Sequence, residues 1–214
     1  MQSKLTSRRF RGCLRLSRVR RFRRRAVPGA AFLFLLAVLL KATPTPAQRV
    51  VVPAELQAEL FSKVAAYDRN FAARAKSKAI ILLVVNTRDA KSKVFAASIK
   101  SALSRLERVG GLPHQENVVS YESSAKLAEL VRSQRAAAVY LGPGLDGDLE
   151  ALQKALTGID VLSLSAVPEH VPKGMVLGFD VVSGKPTILV NLTQARKQNV
   201  SFSADVLKLM KVFR

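Results

Sequence analysis

Apolar residues follow two different spacings along the chain, which predict helices alternating with strands. From Pro53 to Ala75 they recur every three or four residues, which places them on one face of an amphipathic helix. Residues 79–86 instead form a continuous apolar run rich in β-branched side chains. Such runs are typical of strands that are covered on both faces, as in a parallel sheet.

The same alternation continues as far as residue 171. Three further strands are predicted, at 117–120, 137–141 and 161–164. Three helices alternate with them: residues 91–108, a helix capped by Ser123 or Ser124, and a helix capped by Asp146 or Asp148 that ends at Leu156. In the first of these helices, the residues predicted to face inward are Val94, Phe95, Ile99, Leu103 and Leu106. Residues 168–171 predict one short helical turn.

The pattern changes in the C-terminal part of the chain. Residues 175–182 and 187–192 predict two strands, and the Ser-Gly-Lys-Pro stretch between them predicts a hairpin. Residues 195–199 predict a helical turn, and 203–213 a closing helix with Ser203 as its N-cap. The predicted fold is therefore an α/β three-layer sandwich, with a mostly parallel sheet and an antiparallel C-terminal hairpin at its edge.

Residues 1–47 have the composition of a targeting segment. They hold twelve Lys or Arg residues and no acidic residue, and an eleven-residue apolar run follows from Ala30 to Leu40. A basic region, an apolar region and then small residues are the order of a secretory signal peptide, and we expect cleavage near Ala47. The apolar run would span about 16 Å as a helix, which is short for a bilayer core of about 30 Å. An uncleaved anchor, or a twin-arginine signal using Arg8-Arg9, remains an alternative.

The net charge of the chain is much smaller once residues 1–47 are set aside. The whole chain carries a formal charge of +20, but residues 48–214 carry 23 basic and 15 acidic residues, which are interspersed. Aromatic residues are 6% of the chain and tryptophan is absent, so the stacking residues of a nucleic-acid interface are scarce. We therefore predict a single domain at 48–214 that does not bind nucleic acid.

Ligands of open α/β sheets bind beyond the carboxyl ends of the strands. The residues predicted at those ends form a candidate cleft for a ligand or partner: Asn86, Thr87, Tyr121, Gly142, Pro143 and Ser165. They are mostly uncharged, which favours binding over catalysis. The Gly142-Pro143-Gly144 sequence lacks the spacing of a phosphate-binding loop and predicts a tight turn between a strand and a helix.

No catalytic residue, metal site or cofactor is predicted. His114 and His170 are isolated in the sequence and are expected on the surface, and the serines lack the context of an activated nucleophile. The Asp146-Gly147-Asp148 sequence lacks the remaining ligands of a calcium loop, so helix capping is expected there. We predict that the protein is not an enzyme, although a Glu122–His114 pair across the cleft would reopen that hypothesis.

The C-terminal sequence from Gly174 to Val212 resembles the YfiR-like family of bacterial periplasmic proteins. The similar features are a strand, a glycine-containing turn, a strand ending in Asn191-Leu192, an Ala195-Arg196 turn and a final Ser-x-x-Leu-Leu-x-Leu-like helix. The resemblance covers about residues 53–213. It implies an exported α/β domain, often dimeric. The best-known member of the family represses a membrane-bound diguanylate cyclase by binding the periplasmic part of that enzyme. One difference is that residues 48–214 lack the cysteines of the known repressor, since Cys13 is the only cysteine of the chain.

Two functions are consistent with these observations. The first is a periplasmic regulatory protein that restrains a membrane signalling partner, a diguanylate cyclase, and that can form a homodimer. The alternative is a single-lobe solute-binding protein related to the binding components of transporters. Those proteins usually close two lobes around the ligand, whereas the predicted domain has the size of one lobe.

Overall fold

A seven-stranded sheet forms the centre of the molecule. The computed structural model describes residues 51–214, so the predicted signal segment 1–47 and its cleavage site near Ala47 lie outside the described residues. The strands are β1 (Ala79–Val85), β2 (His114–Ser120), β3 (Ala138–Leu141), β4 (Leu162–Ser165), β5 (Leu177–Val182), β6 (Lys185–Asn191) and β7 (Met210–Phe213). Their order is β2-β1-β3-β4-β5-β6-β7.

All neighbouring strands are parallel except β5 and β6, which form an antiparallel hairpin. The turn of this hairpin is only Ser183-Gly184, and both residues have positive φ angles, of 51° and 74°. Two-residue turns of this conformation match the twist of the paired strands. The predicted α/β sandwich with a mostly parallel sheet and a C-terminal hairpin is therefore confirmed.

Helices cover the two faces of the sheet. They are α1 (Ala54–Ala66), α2 (Phe71–Ala75), α3 (Ala90–Leu103), α4 (Ser124–Gln134), α5 (Leu149–Leu156), α6 (Leu192–Lys197) and α7 (Ala204–Leu207). Short 3₁₀ helices occur at Asp146–Asp148 and Pro168–His170. The predicted cap Ser123 accepts a hydrogen bond from the Lys126 amide at 3.3 Å. None of the helices in residues 51–214 is long and apolar enough to cross a membrane.

Two apolar cores lie on opposite faces of the sheet, because successive side chains of a strand point to opposite sides. Ile81 and Leu83 of β1 belong to the core under α1 and α3, which also contains Phe61 and Tyr140. Leu82 and Val84 belong to a second core under α4 and α5. The continuous apolar run of β1 thus fills both cores at once.

The predicted helix at 203–213 is wrong for its second half. Helix α7 ends at Leu207, and residues 210–213 form β7, which pairs in parallel with β6 from Ile188–Met210 to Asn191–Phe213. Pairing with β6 satisfies backbone groups that would otherwise be exposed at a sheet edge, and this tertiary contact overrides the local helical spacing. As a result, β7 occupies the sheet edge beyond the hairpin.

The predicted helix at 53–75 is interrupted at Tyr67–Asn70. The buried carboxylate of Asp68 accepts hydrogen bonds from the amides of Asn70 at 3.1 Å and Ser201 at 2.9 Å. A short acidic side chain that bonds nearby amides favours a turn over a continuing helix. The break lets α2 fold back toward residues 199–201.

Candidate functional site

A cavity of about 540 Å³ opens at the carboxyl ends of β1, β3 and β4. We refer to it as the carboxyl-end cavity. It is lined by Val51, Val52, Ala90, Lys91, Val94, Phe95, Pro143, Ala166, Val167, Pro168, Glu169, Phe179 and Asp180. Its location is the one where ligands of open α/β sheets bind, beyond the strand ends and beside the point at which the strand order reverses between β1 and β3.

Apolar side chains dominate the walls of the cavity. Three of the residues that line it are charged: Lys91, Glu169 and Asp180. Phe95 packs edge-on against Tyr140, with 5.5 Å between the ring centroids. A concave, mostly apolar cavity with a few polar groups, within about 300–1,000 Å³, has the size and character of a small-molecule site.

A buried pair of hydrogen bonds fixes the wall that Val51 and Val52 provide. The Gln57 side-chain amide donates to the Val52 carbonyl oxygen at 2.7 Å, and the Tyr140 hydroxyl donates to Gln57 Oε1. Burial raises the pKa of Tyr140, so its hydroxyl keeps the proton that it donates. The segment before α1 is thereby anchored to the central strand β3.

A second hydrogen-bonded group lies directly behind the Ala166–Glu169 wall. His170 Nδ1 is 2.7 Å from Ser165 Oγ, and His170 Nε2 is 3.0 Å from Asp146 Oδ1. The surface position predicted for His170 is wrong, because its side chain is fully buried. Asp146 bonds this imidazole instead of capping α5. Asp148 occupies the N-cap position of α5 as predicted, but its side chain makes no cap hydrogen bond there.

Ser165, His170 and Asp146 are joined by hydrogen bonds in the order of a catalytic triad, but the serine is not accessible as a nucleophile. Ser165 is fully buried, and its hydroxyl oxygen accepts the Val167 amide at 3.0 Å. Because His170 Nε2 donates to the Asp146 carboxylate, the unprotonated Nδ1 accepts the Ser165 hydroxyl hydrogen. The Ser165 hydroxyl and both ring nitrogens of His170 are thus used to hold the loop that lines the cavity.

Burial also sets the charge of this group. It lowers the pKa of His170, although the hydrogen bond with Asp146 acts in the opposite direction. The same hydrogen bond lowers the pKa of Asp146. At neutral pH the group therefore consists of a neutral imidazole and an ionised carboxylate.

The predicted residues Asn86 and Gly142 form part of the packed turn next to the cavity. Asn86 Nδ2 donates to the Gly144 carbonyl oxygen at 2.6 Å, which ties the end of β1 to the end of β3. A Cβ atom on Gly142 would lie 2.8 Å from Ser92 Oγ, and one on Gly144 would lie 2.3 Å from Asp89 Oδ2. These glycines permit close packing of the turn against the first turn of α3.

The remaining predicted residues are separated from one another. Tyr121 packs against the second core, on the other face of the sheet, where burial and then the Asp148 carboxylate raise its pKa to about 12. Thr87 is exposed, and Ser165 lies behind the cavity wall rather than in it. Pro143 is therefore the one predicted cleft residue that lines the cavity.

Several lining residues were missed from the sequence, and Val94 was misplaced. Val94 was predicted to face the core, but it is 67% exposed and lies at the cavity. Consecutive helical residues point about 100° apart, and α3 is oriented so that Phe95 packs against the core while Val94 lies at the edge of the apolar face. The walls from residues 51–52, 166–169 and 179–180 come from distant parts of the chain, which local spacing does not reveal.

His114 and Glu122 do not form the pair that would have indicated catalysis. His114 begins β2 and Glu122 lies two residues beyond its end at Ser120, so more than about 20 Å of chain separates them. His114 instead hydrogen-bonds Glu116 and the Leu106 carbonyl oxygen, the latter at 2.9 Å. Its side chain is 5% exposed, so the surface position predicted for it is wrong too.

Two solved bacterial structures illustrate the similarity in fold. One is an ABC domain in complex with L-Trp from Streptococcus pneumonia, with 13% identity and a TM-score of 0.53, covering 75% of this chain and 62% of that chain. The other is a conserved domain protein from Vibrio cholerae O1 biovar El Tor strain N16961, with 16% identity and a TM-score of 0.50, covering 76% and 60%. This chain thus spans about three-fifths of their length, and the likeness concerns the fold alone.

Sequence comparison identifies the family. No curated protein matches the chain significantly. A family model described as YfiR/HmsC-like matches residues 54–211, from the start of α1 into β7. The match covers about three-quarters of the chain, including strands β1 to β6 and the start of β7, so the chain belongs to the YfiR/HmsC-like family.

Proposed function

We propose that this protein is exported to the periplasm, where it restrains a membrane signalling partner, a diguanylate cyclase, by binding the periplasmic part of that enzyme. The family match over residues 54–211 carries the proposal, because the YfiR-like family is periplasmic and regulatory rather than catalytic. The basic and apolar segment before Ala47 supports export.

The sheet edge at β7 has features that suit contact with another protein. Leu209 is 75% exposed and Val212 is 37% exposed, and Lys208 and Lys211 flank them. Within residues 51–214, β7 is also the last strand of the sheet, so no described strand pairs with the outer side of its backbone. Apolar side chains with a charged rim, next to an unpaired strand edge, favour protein binding, including the formation of a homodimer.

Cellular cyclic-di-GMP provides the direct test. Deleting the gene should raise the nucleotide, and restoring the wild-type protein should lower it again. Leu209→Asp should fail to restore repression, because a charge on the β7 edge would oppose an apolar contact. Val118→Asp, at a 48% exposed position on the opposite edge strand β2, is the matched control and should restore it.

One control and two outcomes complete this test. Immunoblots of periplasmic fractions should show equal amounts of the wild-type and variant proteins. Unchanged cyclic-di-GMP after deletion would contradict the proposed function. Equal repression by wild type and Leu209→Asp would leave the function intact but remove the β7 edge as the contact surface.

A second candidate function is favoured by the carboxyl-end cavity. Its volume of about 540 Å³ and its apolar walls are those of a ligand site, as expected for a single-lobe solute-binding protein. Thermal-shift screening against small metabolites tests this candidate, because a ligand that binds only the folded protein raises its melting temperature. A reproducible rise with one chemical class supports it, and no rise with any class counts against it.

A further inference from the structure

One wall of the carboxyl-end cavity, residues 166–169, is tied to the sheet by two successive amides. The Ala166 amide donates to the Leu141 carbonyl oxygen at 3.0 Å, which continues the pairing of β3 and β4. The Val167 amide has no backbone acceptor within residues 51–214 and donates to Ser165 Oγ at 3.0 Å. The Ser165 hydroxyl is therefore the last group of the sheet that holds this wall.

The hydrogen bonds of Ser165 depend on the protonation of His170. Nε2 of the neutral imidazole donates to Asp146 at 3.0 Å, so Nδ1 accepts the Ser165 hydroxyl hydrogen, with 2.7 Å between Nδ1 and Oγ. A proton on Nδ1 would turn this acceptor into a donor that points at the same serine oxygen. Ser165 Oγ makes no third hydrogen bond within residues 51–214, so its hydrogen would lose its acceptor.

Water cannot replace the lost bond while the structure stays closed, because Ser165 and His170 are both 0% exposed. A buried hydroxyl without an acceptor and a buried imidazolium both cost free energy. Movement of the segment that carries the imidazole relieves both costs. His170 ends the 3₁₀ helix Pro168–His170, so such a movement would carry residues 166–169 with it.

Two charged groups act on the His170 imidazole. The Asp146 carboxylate, on the 3₁₀ helix before α5, bonds Nε2 and favours the protonated form. The Lys173 ammonium, three residues further along the chain, opposes it. Burial has the largest effect and lowers the pKa of His170, so the imidazole takes up a proton only in acid.

Three other carboxylates lie on neighbouring segments without bonding the imidazole. Asp148 lies beside the Tyr121 hydroxyl. Glu169 lines the cavity and has an interaction of its own. Asp180 lies on the face of β5 opposite Phe179, and its carboxylate accepts the next backbone amide at 2.8 Å. Protonation of the imidazole is therefore governed by burial and by the two charged groups named above.

We propose that His170 is a pH-sensitive switch: protonation of its imidazole releases residues 166–169 from Ser165 and opens the carboxyl-end cavity on that side. The wall is closed at neutral pH and loosened in acid. The effect on ligand uptake rests on the second candidate function given above, and the switch adds a regulation of that same cavity. The release itself is measured without a ligand and does not depend on the membrane partner.

Heteronuclear NMR of the protein, purified as the cell processes it, tests the switch between pH 7.5 and pH 4.5. The ¹⁵N shifts of the imidazole report the protonation of His170. Hydrogen exchange of the Val167 amide, corrected for the intrinsic effect of pH on exchange, reports the wall. Its protection should fall about three- to tenfold, the weight of one hydrogen bond, at the pH where His170 titrates. The Leu83 amide, in the central strand β1, should keep its protection.

Variants separate the switch from other effects of acid. His170→Asn should abolish the pH response of the Val167 amide. His114→Asn is the matched control and should leave it unchanged, because His114 is also buried but bonds Glu116 and the Leu106 carbonyl oxygen. Asp146→Asn keeps an oxygen acceptor for Nε2 but removes the charge that favours the imidazolium, so the midpoint should move to lower pH.

The outcomes distinguish the switch from the ligand site. If the His170 imidazole does not titrate in this range, or if Val167 protection is constant or changes at a different pH, the switch is wrong. Loss of Leu83 protection together with that of Val167 would mean global unfolding and would equally overturn it. A pH response that survives in His170→Asn, or an unmoved midpoint in Asp146→Asn, has the same consequence. A thermal-shift screen that finds no ligand at pH 7.5 removes the second candidate function and leaves the switch.

Discussion

Arg74 and Asp68 form a buried ion pair whose side chains are 3% and 0% exposed. Arg74 also bonds Asp160 at 2.7 Å and the Asn199 carbonyl oxygen at 3.1 Å. Buried charges are tolerated only when each is fully paired, and this group meets that condition while it fixes α2 against residues 199–201. Individual residues of this kind determine where the elements of the fold meet.

Removing Arg74 should destabilise the protein strongly. In Arg74→Ala the buried carboxylate of Asp68 loses its partner, and we expect the free energy of unfolding to fall by about 3–5 kcal/mol. Arg105→Ala removes an ion pair with Glu55 whose side chains are both about 60% exposed, so the loss there should be at most about 1 kcal/mol. Urea unfolding of both variants measures the difference, and equal losses would refute the argument.

His170 makes stability depend on pH. Its pKa in the folded protein lies below the ordinary value of 6.5, so the unfolded chain binds the proton more readily. The contribution of His170 to the free energy of unfolding should therefore be complete above about pH 6.5, and it should decrease as the pH falls below that value. The lowered pKa of Asp146 adds a loss in the same direction at still lower pH.

Urea unfolding at pH 7.5 and pH 5.5 checks this dependence. The urea midpoint of the wild type should be lower at pH 5.5 than at pH 7.5. The decrease should be smaller in His170→Asn, because residue 170 then takes up no proton. A comparison at pH 8.5 and pH 7.5, where the imidazole is neutral throughout, is the control. An identical fall in the wild type and the variant between pH 7.5 and 5.5 would exclude His170 as its source.

Elements with a strong local pattern were predicted correctly, while those that depend on distant pairing were not. The apolar run of β1 and the glycine-containing turn of the β5–β6 hairpin carry their own signals. β7 does not, because Val206 and Met210 have helical spacing and only the unpaired edge of β6 makes residues 210–213 a strand. The cavity was missed for the same reason, since its walls come from five separate parts of the chain.

Adjacent residues at the start of β7 provide a test of this strand. Met210 is 8% exposed whereas Leu209 is 75% exposed. Met210→Ala should lower the free energy of unfolding by about 2 kcal/mol or more, because it removes buried apolar atoms. Leu209→Ala should change it by less than about 0.5 kcal/mol. Chemical denaturation distinguishes the two, and a larger effect at residue 209 would contradict the strand.

At the scale of the whole molecule, seven strands separate two cores, and the ends of three strands surround one cavity. The Gln57 and Ser165 hydrogen bonds keep opposite walls of that cavity in place. The β7 edge lies on the far side of the sheet from β2, several strands away from the β1 end of the cavity. A contact at that edge and a ligand in the cavity would therefore use different surfaces of one rigid sheet.

Export of the whole chain is a separate prediction. The protein isolated from the periplasm should begin near Gln48, because the small residues before that position favour cleavage after Ala47. Intact-mass spectrometry of periplasmic and cytoplasmic fractions measures this directly. Recovery of the full-length chain from the cytoplasm alone would contradict both the signal peptide and the periplasmic function.

The hydrogen bond from Gln57 to Val52 gives the first residues after the predicted cleavage site an unusual importance. Val52 would be only the fifth residue of the processed chain. An aminopeptidase that trims past Val52 would remove a wall of the cavity and leave the Gln57 amide without its acceptor. Ragged amino termini, which most exported proteins tolerate, would then produce a mixture of molecules that differ in ligand uptake.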